Sequence, residues 1–437
     1  MVKAVSEAEI ERIKNVASLL YRAARPLRIL RSIDWPPAVK EAFFANGARE
    51  LPKMSYAGFD PTPTVETVRE VRRLIVPISP IDLWFERQAD SIEGGARMLA
   101  GMGTAVFFEH ARRLYGEPTA PLRYHPTTSL ELAQRIQAVI EQLARIDPGV
   151  APPAYRTAED IAQEIEERVN RHFGEEAPRV EIVDKLSANA LATASAIRIR
   201  RDARFTDRDA AQLLNHEAYI HAATSLNGRA QTDLPVLAAG HPCTTRTQEG
   251  LAVFAEIISG TMELDRLQRL AYRVFAIQMA IEGADFLEVY RYFLERTGNP
   301  DQAFESARRV FRGGVITGGA PFTKDVVYLF GLLQVSNAIR AIFSAGRSDC
   351  LRLLFCGKLD LQDIPALAEL ARMGLCRLPR FLPPWASDLR SLLALLTYST
   401  FINQIDMTPM IAVAEKMLES TPVVELPSSG SSDRSAP

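Results

Sequence analysis

Residues 196–221 read Ala-Ile-Arg-Ile-Arg-Arg-Asp-Ala-Arg-Phe-Thr-Asp-Arg-Asp-Ala-Ala-Gln-Leu-Leu-Asn-His-Glu-Ala-Tyr-Ile-His, and the hydrophobic period changes within them. Ile197 and Ile199 alternate with Arg198 and Arg200, as a half-buried strand requires. Thr206-Asp207-Arg208-Asp209 then has capping-box form and predicts a helix running through His221. A strand therefore feeds a helix that carries two of the chain's six histidines. His216-Glu217-Ala218-Tyr219-Ile220-His221 is H-E-x-x-x-H, one residue longer than the H-E-x-x-H that sets two imidazoles on one helix face for zinc. On a regular helix residues i and i+5 stand about 140° apart, against about 40° for i and i+4. A π-bulge between His216 and His221 would restore a common face, and one is predicted there.

Working outward, Val180 and Ile182 alternate in the same way, giving two short strands with a helical link. Downstream, helical periodicity is read at 247–259, 263–283, 285–296, 301–311, 325–344, 361–373, 387–403 and 408–419. Upstream it is read at 6–26, 65–76, 82–114 and 129–146. Ser32 to Thr64 contains Pro36, Pro37, Pro52, Pro61 and Pro63 and reads as a surface excursion. Asp147-Pro148-Gly149-Val150-Ala151-Pro152-Pro153 breaks the chain, so a boundary is placed between there and Pro178. The expectation is an α+β protein, mainly α, with a small sheet: an N-terminal helical region over 1–175, a second domain over 176–420, and a disordered Ser/Pro/Gly-rich tail over 421–437.

Composition narrows the function. Lys+Arg 51 against Asp+Glu 53 leaves a formal charge of -2, so no overall basic field exists to hold nucleic acid or an anionic membrane. The apolar stretch Val326 to Phe343 is interrupted by Asn337 and Arg340, and Ser391 to Ile402 is too short to span a bilayer. Four irregularly spaced cysteines suggest buried thiols in a reducing compartment, and the N-terminus lacks the apolar core of a signal peptide; a cytoplasmic location is expected.

A catalytic zinc site needs a third protein ligand and an open fourth position. Gln248-Glu249-Gly250-Leu251-Ala252-Val253-Phe254-Ala255-Glu256 opens the next helix, with Gly250 permitting close approach of a neighbouring backbone. Glu249 is the first choice for the ligand, Glu256 the reserve or a partner behind the ligands, and His241 the rival. Glu217 would then be the general base that takes a proton from water and delivers it to the leaving amine. The plainer reading is that the histidines are hydrogen-bonded core residues and Glu249 complements the positive end of its helix.

His216-Glu217-x-x-x-His221, Asn227-Gly228-Arg229, Gln248-Glu249-Gly250-Leu251-Ala252, Arg312-Gly313 and Phe322-Thr323-Lys324-Asp325-Val326-Val327-Tyr328 together resemble the bacterial QEGLA-motif proteins, which carry the label "flavohemoglobin expression-modulating". The same family includes the microtubule-associated tyrosine carboxypeptidases. The resemblance covers about residues 75–420 and is strongest over 180–335. It implies a zincin-like metallopeptidase core, Zn²⁺ on His216, His221 and Glu249, and Glu217 as catalytic acid/base. The family commonly reads H-E-I-G-x-H where this chain has Ala218-Tyr219, so the reaction type is carried over and the substrate is not.

The function expected is a zinc metallopeptidase of carboxypeptidase type, acting on a peptide or protein C-terminus. A carboxypeptidase also needs a cation for the terminal carboxylate. Arg229, Arg312 and Lys324 are candidates, and Tyr328 is a candidate donor to the developing oxyanion. Each has a structural alternative: Arg312 capping a helix, Lys324 pairing with Asp325, Tyr328 as amphipathic core. Gly313-Gly314-Val315-Ile316-Thr317-Gly318-Gly319 reads as a flexible loop over the cleft rather than a P-loop, because no Gly-Lys-Ser/Thr follows. The alternatives from other classes are a non-enzymatic helical regulator with a structural histidine or metal cluster, and a non-peptidase zinc amidohydrolase.

Overall fold

The computed structural model describes residues 5–422 apart from 77, 124, 144–145, 147–153, 185 and 187–188; the whole Pro-rich break at 147–153 and most of the tail fall outside the described residues. The first helix, Glu7–Ala24, begins where Ser6 accepts the Glu9 N–H and stops before Pro26, as its sequence requires. Its apolar stripe, Ile13, Val16 and Leu20, is buried against the helices Thr62–Leu74 and Pro80–Ala100. The helical run expected over 82–114 is two helices, because the chain turns at Gly101-Met102-Gly103 before Ala105–Tyr115.

Among the described residues three strands form one sheet in the order β1 (Arg179–Val183), β3 (Ala196–Arg200), β2 (Ala190–Ala192). β1 runs parallel to β3 with Ile182 opposite Ile199, and β2 runs antiparallel with Leu191 opposite Arg198. The strand β2 replaces part of the helical link expected there. Its three residues, Ala-Leu-Ala, contain no β-branched side chain and too few positions to show a period. Ile197 and Ile199 are buried in a cluster with Ile161, Ile165 and Phe173 of the helix Ala158–Phe173 and with Ala218 and Leu226. That helix was not expected, although Thr157 and Asp160 form a full capping box at its start.

A larger cluster runs through both halves of the chain, joining Ile13, Leu20, Trp84 and Phe85 to Leu251, Val253, Leu329 and Leu354. A third gathers Trp35 and Phe43 around Phe286, Phe304 and Phe311. Ser32 to Thr64 is therefore not a surface excursion. Several of its prolines mark helix starts, as at Pro37–Ala45 and Thr62–Leu74, and Trp35 and Phe43 are core. The helix Val327–Ser344 extends a span, Lys324–Ser344, that is long and apolar enough to cross a membrane by length and composition, and half of it is buried inside the protein. It crosses the helix Pro242–Ile258 where two glycines meet: a Cβ on Gly250 would stand 2.4 Å from the Gly331 carbonyl. The close approach expected at Gly250 is present, and it fixes Glu249 beside Lys324.

Candidate metal centre

The helix expected through His221 begins at Asp209, whose Oδ2 accepts the Thr206 N–H at 2.6 Å. The Thr206 hydroxyl accepts from Arg208. From Leu214 to Ala222 the backbone is a π-helix. The wide turn brings His216 and His221 together, with ring centroids 5.0 Å apart. The imidazoles that a regular helix would splay thus share a face.

His216 is 6% exposed, and its Nδ1–H donates to Glu256 Oε1 at 2.6 Å. Glu256, fully buried, also accepts from Arg266 Nε and Nη2, both at 3.1 Å. Burial alone would raise the Glu256 pKa; Arg266 and His216 outweigh it and bring it down to about 2. With Nδ1 taken up by Glu256, His216 turns its other ring nitrogen, Nε2, toward Glu249. Glu249 Oε2 lies 3.7 Å from that nitrogen and 3.7 Å from His221 Nε2, too far for hydrogen bonds. These donor atoms lie within 4.8 Å of one another. Glu249 Oε1 accepts from Lys324 Nζ at 2.9 Å. Although burial opposes ionisation, Lys324 and the two imidazoles hold the Glu249 carboxyl well below its ordinary range.

Two ring nitrogens and a carboxylate oxygen converging on one point, outside hydrogen-bond distance of one another, form an arrangement that a cation stabilises. Ligand atoms about 2.0–2.2 Å from a tetrahedral zinc ion stand roughly 3.3–3.6 Å apart, so the residues fit the group with small adjustment. The His216–Glu256–Arg266 chain supplies the orienting carboxylate that metal-bound histidines ordinarily have. His221 lacks one: its buried Nδ1 has no partner among the described residues.

Glu217 Oε2 accepts the Ala192 N–H at 2.9 Å, so β2 holds the expected base next to the histidine pair. A cavity of about 240 Å³ opens beside the cluster, lined by His221, Glu249, Lys324, Lys358, His241 and Tyr115 among others. Glu256 is not among the converging groups and reaches His216 from the far side of its ring. His241 is not among the converging groups. Its Nδ1 contacts Ser91 Oγ at 3.2 Å and Cys243 Sγ at 3.4 Å, and burial lowers its pKa to about 4.

The residues expected to bind substrate divide. Lys324 lines the cavity but directs its ammonium at Glu249. Tyr328 is buried, and its hydroxyl accepts from Arg309 at 3.3 Å instead of facing the cavity. Arg312 caps the helix Pro300–Phe311 and is 3% exposed over the Phe322 ring, the structural alternative stated for it. Arg229 is exposed and lines a separate surface depression with Glu175 and Glu176, because the helix Ala223–Arg229 has by then left the site. The Gly313–Gly319 segment is tied down rather than flexible: Gly313 N–H donates to Tyr56 Oη at 2.7 Å and Gly319 N–H to the Ala280 carbonyl at 2.7 Å. It does not line the cavity.

Lys358 was not expected. Its Nζ donates to Gln248 Oε1 at 3.1 Å and to the His221 carbonyl at 3.4 Å, with no carboxylate in salt-bridge range among the described residues. Gly357 lets this turn dock, since a Cβ there would stand 2.5 Å from the Leu237 carbonyl. The same carbonyl lies 2.3 Å from the Cβ position of Gly228, so two glycines hold it between them. No curated protein matches the chain. The family model described as microtubule-associated tyrosine carboxypeptidase matches residues 41–404, and the chain belongs to that family.

Proposed function

We propose that the protein is a zinc-dependent carboxypeptidase that removes a residue from the C-terminus of a peptide or protein. The observation that carries this reading is the convergence of His216 Nε2, His221 Nε2 and Glu249 Oε2 at the end of a π-helical turn. The family supports it, since its members are described as carboxypeptidases. A zinc ion on these three residues would supply Lewis acidity and lower the pKa of a water molecule in the open position. Glu217, beside His216 in the sequence, would serve as general base toward the attacking water and as the donor of its proton to the leaving amine. The Ala192 N–H orients its carboxylate.

Lys358 is the best-placed cation for the substrate's terminal carboxylate, because it lines the cavity and has no anionic partner among the described residues. Lys324, committed to Glu249, steadies the ligand and adds positive potential.

Metal content measured by elemental mass spectrometry tests the site. Near-stoichiometric zinc is expected in the parent and should be lost in folded His216→Ala and Glu249→Ala. Glu217→Gln should keep the metal while lowering peptide turnover by about 10²–10⁴-fold. Protein that stays metal-free after zinc is supplied would overturn the reading.

A further inference from the structure

The helix Pro242–Ile258 begins at the candidate site, and its first turn lines the cavity through Pro242, Thr244 and Thr245. The positive end of its dipole favours an anion there. His241, the N-cap residue of this helix, lines the cavity too and is 3% exposed. Its Nδ1 is held from the protein side, 3.2 Å from Ser91 Oγ and 3.4 Å from Cys243 Sγ. Ser91 Oγ already accepts the Cys243 N–H at 2.9 Å, which leaves its own hydrogen to give, and His241 Nδ1 is placed to accept it. Burial keeps the ring neutral, with its pKa lowered to about 4. A neutral ring that accepts at Nδ1 carries its proton at Nε2. His241 Nε2 is buried and has no partner among the described residues, a costly condition until an acceptor arrives. Lys358 lines the same cavity, and its ammonium meets only the Gln248 Oε1 and His221 carbonyl oxygens, whereas Lys324 is balanced by Glu249. A helix N-terminus, an unbalanced ammonium and an unpartnered ring nitrogen thus belong to the lining of one cavity.

We propose that His241 carries its proton on Nε2 and donates it to the terminal carboxylate of the substrate, which it grips together with Lys358. The proposal rests on the reading that the site removes a C-terminal residue. Lys358 supplies charge on a flexible stem, and His241 supplies direction, since a ring fixed by Ser91 offers its hydrogen along one line. Hydrogen bonds to a charged group are stronger than those to a neutral one, so the contribution of His241 should depend on the charge of the substrate terminus. The test uses the full chain with zinc supplied, in a Glu217→Gln background that slows turnover. Calorimetry compares peptides that differ only in ending as a free acid or as a primary amide. His241→Phe keeps a ring and removes the hydrogen bond, whereas His241→Gln can still accept from Ser91 and donate to the cavity. Proton–nitrogen correlation spectra of the ring read which nitrogen is protonated even if a variant unfolds, and circular dichroism checks folding.

The acid is expected to bind more tightly than the amide. His241→Phe should weaken the acid by about 10–100-fold and the amide by less than about tenfold, with His241→Gln recovering most of the loss. With Glu217 restored, the same loss should appear in KM with kcat retained. The Nε2 resonance should be that of a protonated nitrogen and should move when the acid peptide binds. Equal weakening of acid and amide, acid binding unchanged in His241→Phe, an effect on kcat alone, or a neutral ring protonated at Nδ1 would overturn the proposal. Selective binding of the acid that depends on His241, with no peptide turnover when Glu217 is present, would uphold the grip and remove the hydrolytic reading instead.

Discussion

His241 and Asn227 show how far single side chains in this protein depend on their surroundings. Burial lowers the His241 pKa to about 4, below the roughly 6.5 of an unfolded chain. Between those values the unfolded chain binds the extra proton, so stability rises with pH there, fully present above about 6.5 and lost as pH falls toward 4. The difference is about 3 kcal/mol. Urea unfolding from pH 4 to 7 should be flatter by that amount in His241→Gln than in the parent. Asn227 joins four backbone groups, donating to the Phe355 and Phe381 carbonyls and accepting from the Arg380 and Phe381 N–H groups. Asn227→Ala leaves them buried without that partner, at about 1–3 kcal/mol for each group left unmet. A loss of at least about 3 kcal/mol in urea unfolding is expected. The histidine pair was legible from spacing, and Glu256 from its position on the Glu249 helix. Lys358 was not, because it lies 137 residues from His221, in no motif, and is delivered by a turn that only the folded chain brings near.

Among the elements, the crossing of Pro242–Ile258 with Val327–Ser344 controls the site, because Glu249 and Lys324 approach each other there. Gly250→Ala would force a methyl group to within 2.4 Å of the Gly331 backbone. Overpacking of this kind costs about 1–3 kcal/mol and would push the helices apart, so lower zinc occupancy should accompany the lower melting temperature. Helix periodicity in the sequence gave most of the helices to within a few residues, since long amphipathic stripes average out local exceptions. The misses have separate causes. β2 is too short for a period to show. The helix Ala158–Phe173 follows a proline-rich break that drew attention to a boundary. Trp35 and Phe43 are core residues set among prolines, and proline density was mistaken for exposure.

For the molecule as a whole, the chain beyond residue 404, where the family match ends, adds little burial. The helix Thr408–Glu419 has no buried residue, and Met410, Val413, Met417 and Leu418 are each at least 60% exposed. Truncation after Gln404 should leave stability within about 1 kcal/mol and reduce self-association in light scattering. Zinc on the proposed ligands, at a thousandfold its Kd, would add about 4 kcal/mol to folding. A chelator should therefore lower the melting temperature of the loaded parent and leave His216→Ala unchanged. The π-helical turn has a further consequence for chain length. In an ordinary helix, deleting one residue rotates everything downstream by about 100°. Here the wide turn already absorbs the surplus residue, so Ala210 and Leu213 before it and Leu226 and Asn227 after it keep the phase of a helix one residue shorter. Deleting Tyr219 should let the turn relax to the common four-residue spacing while the rest of the protein folds as before, making the motif's length a local variable that the fold does not sense.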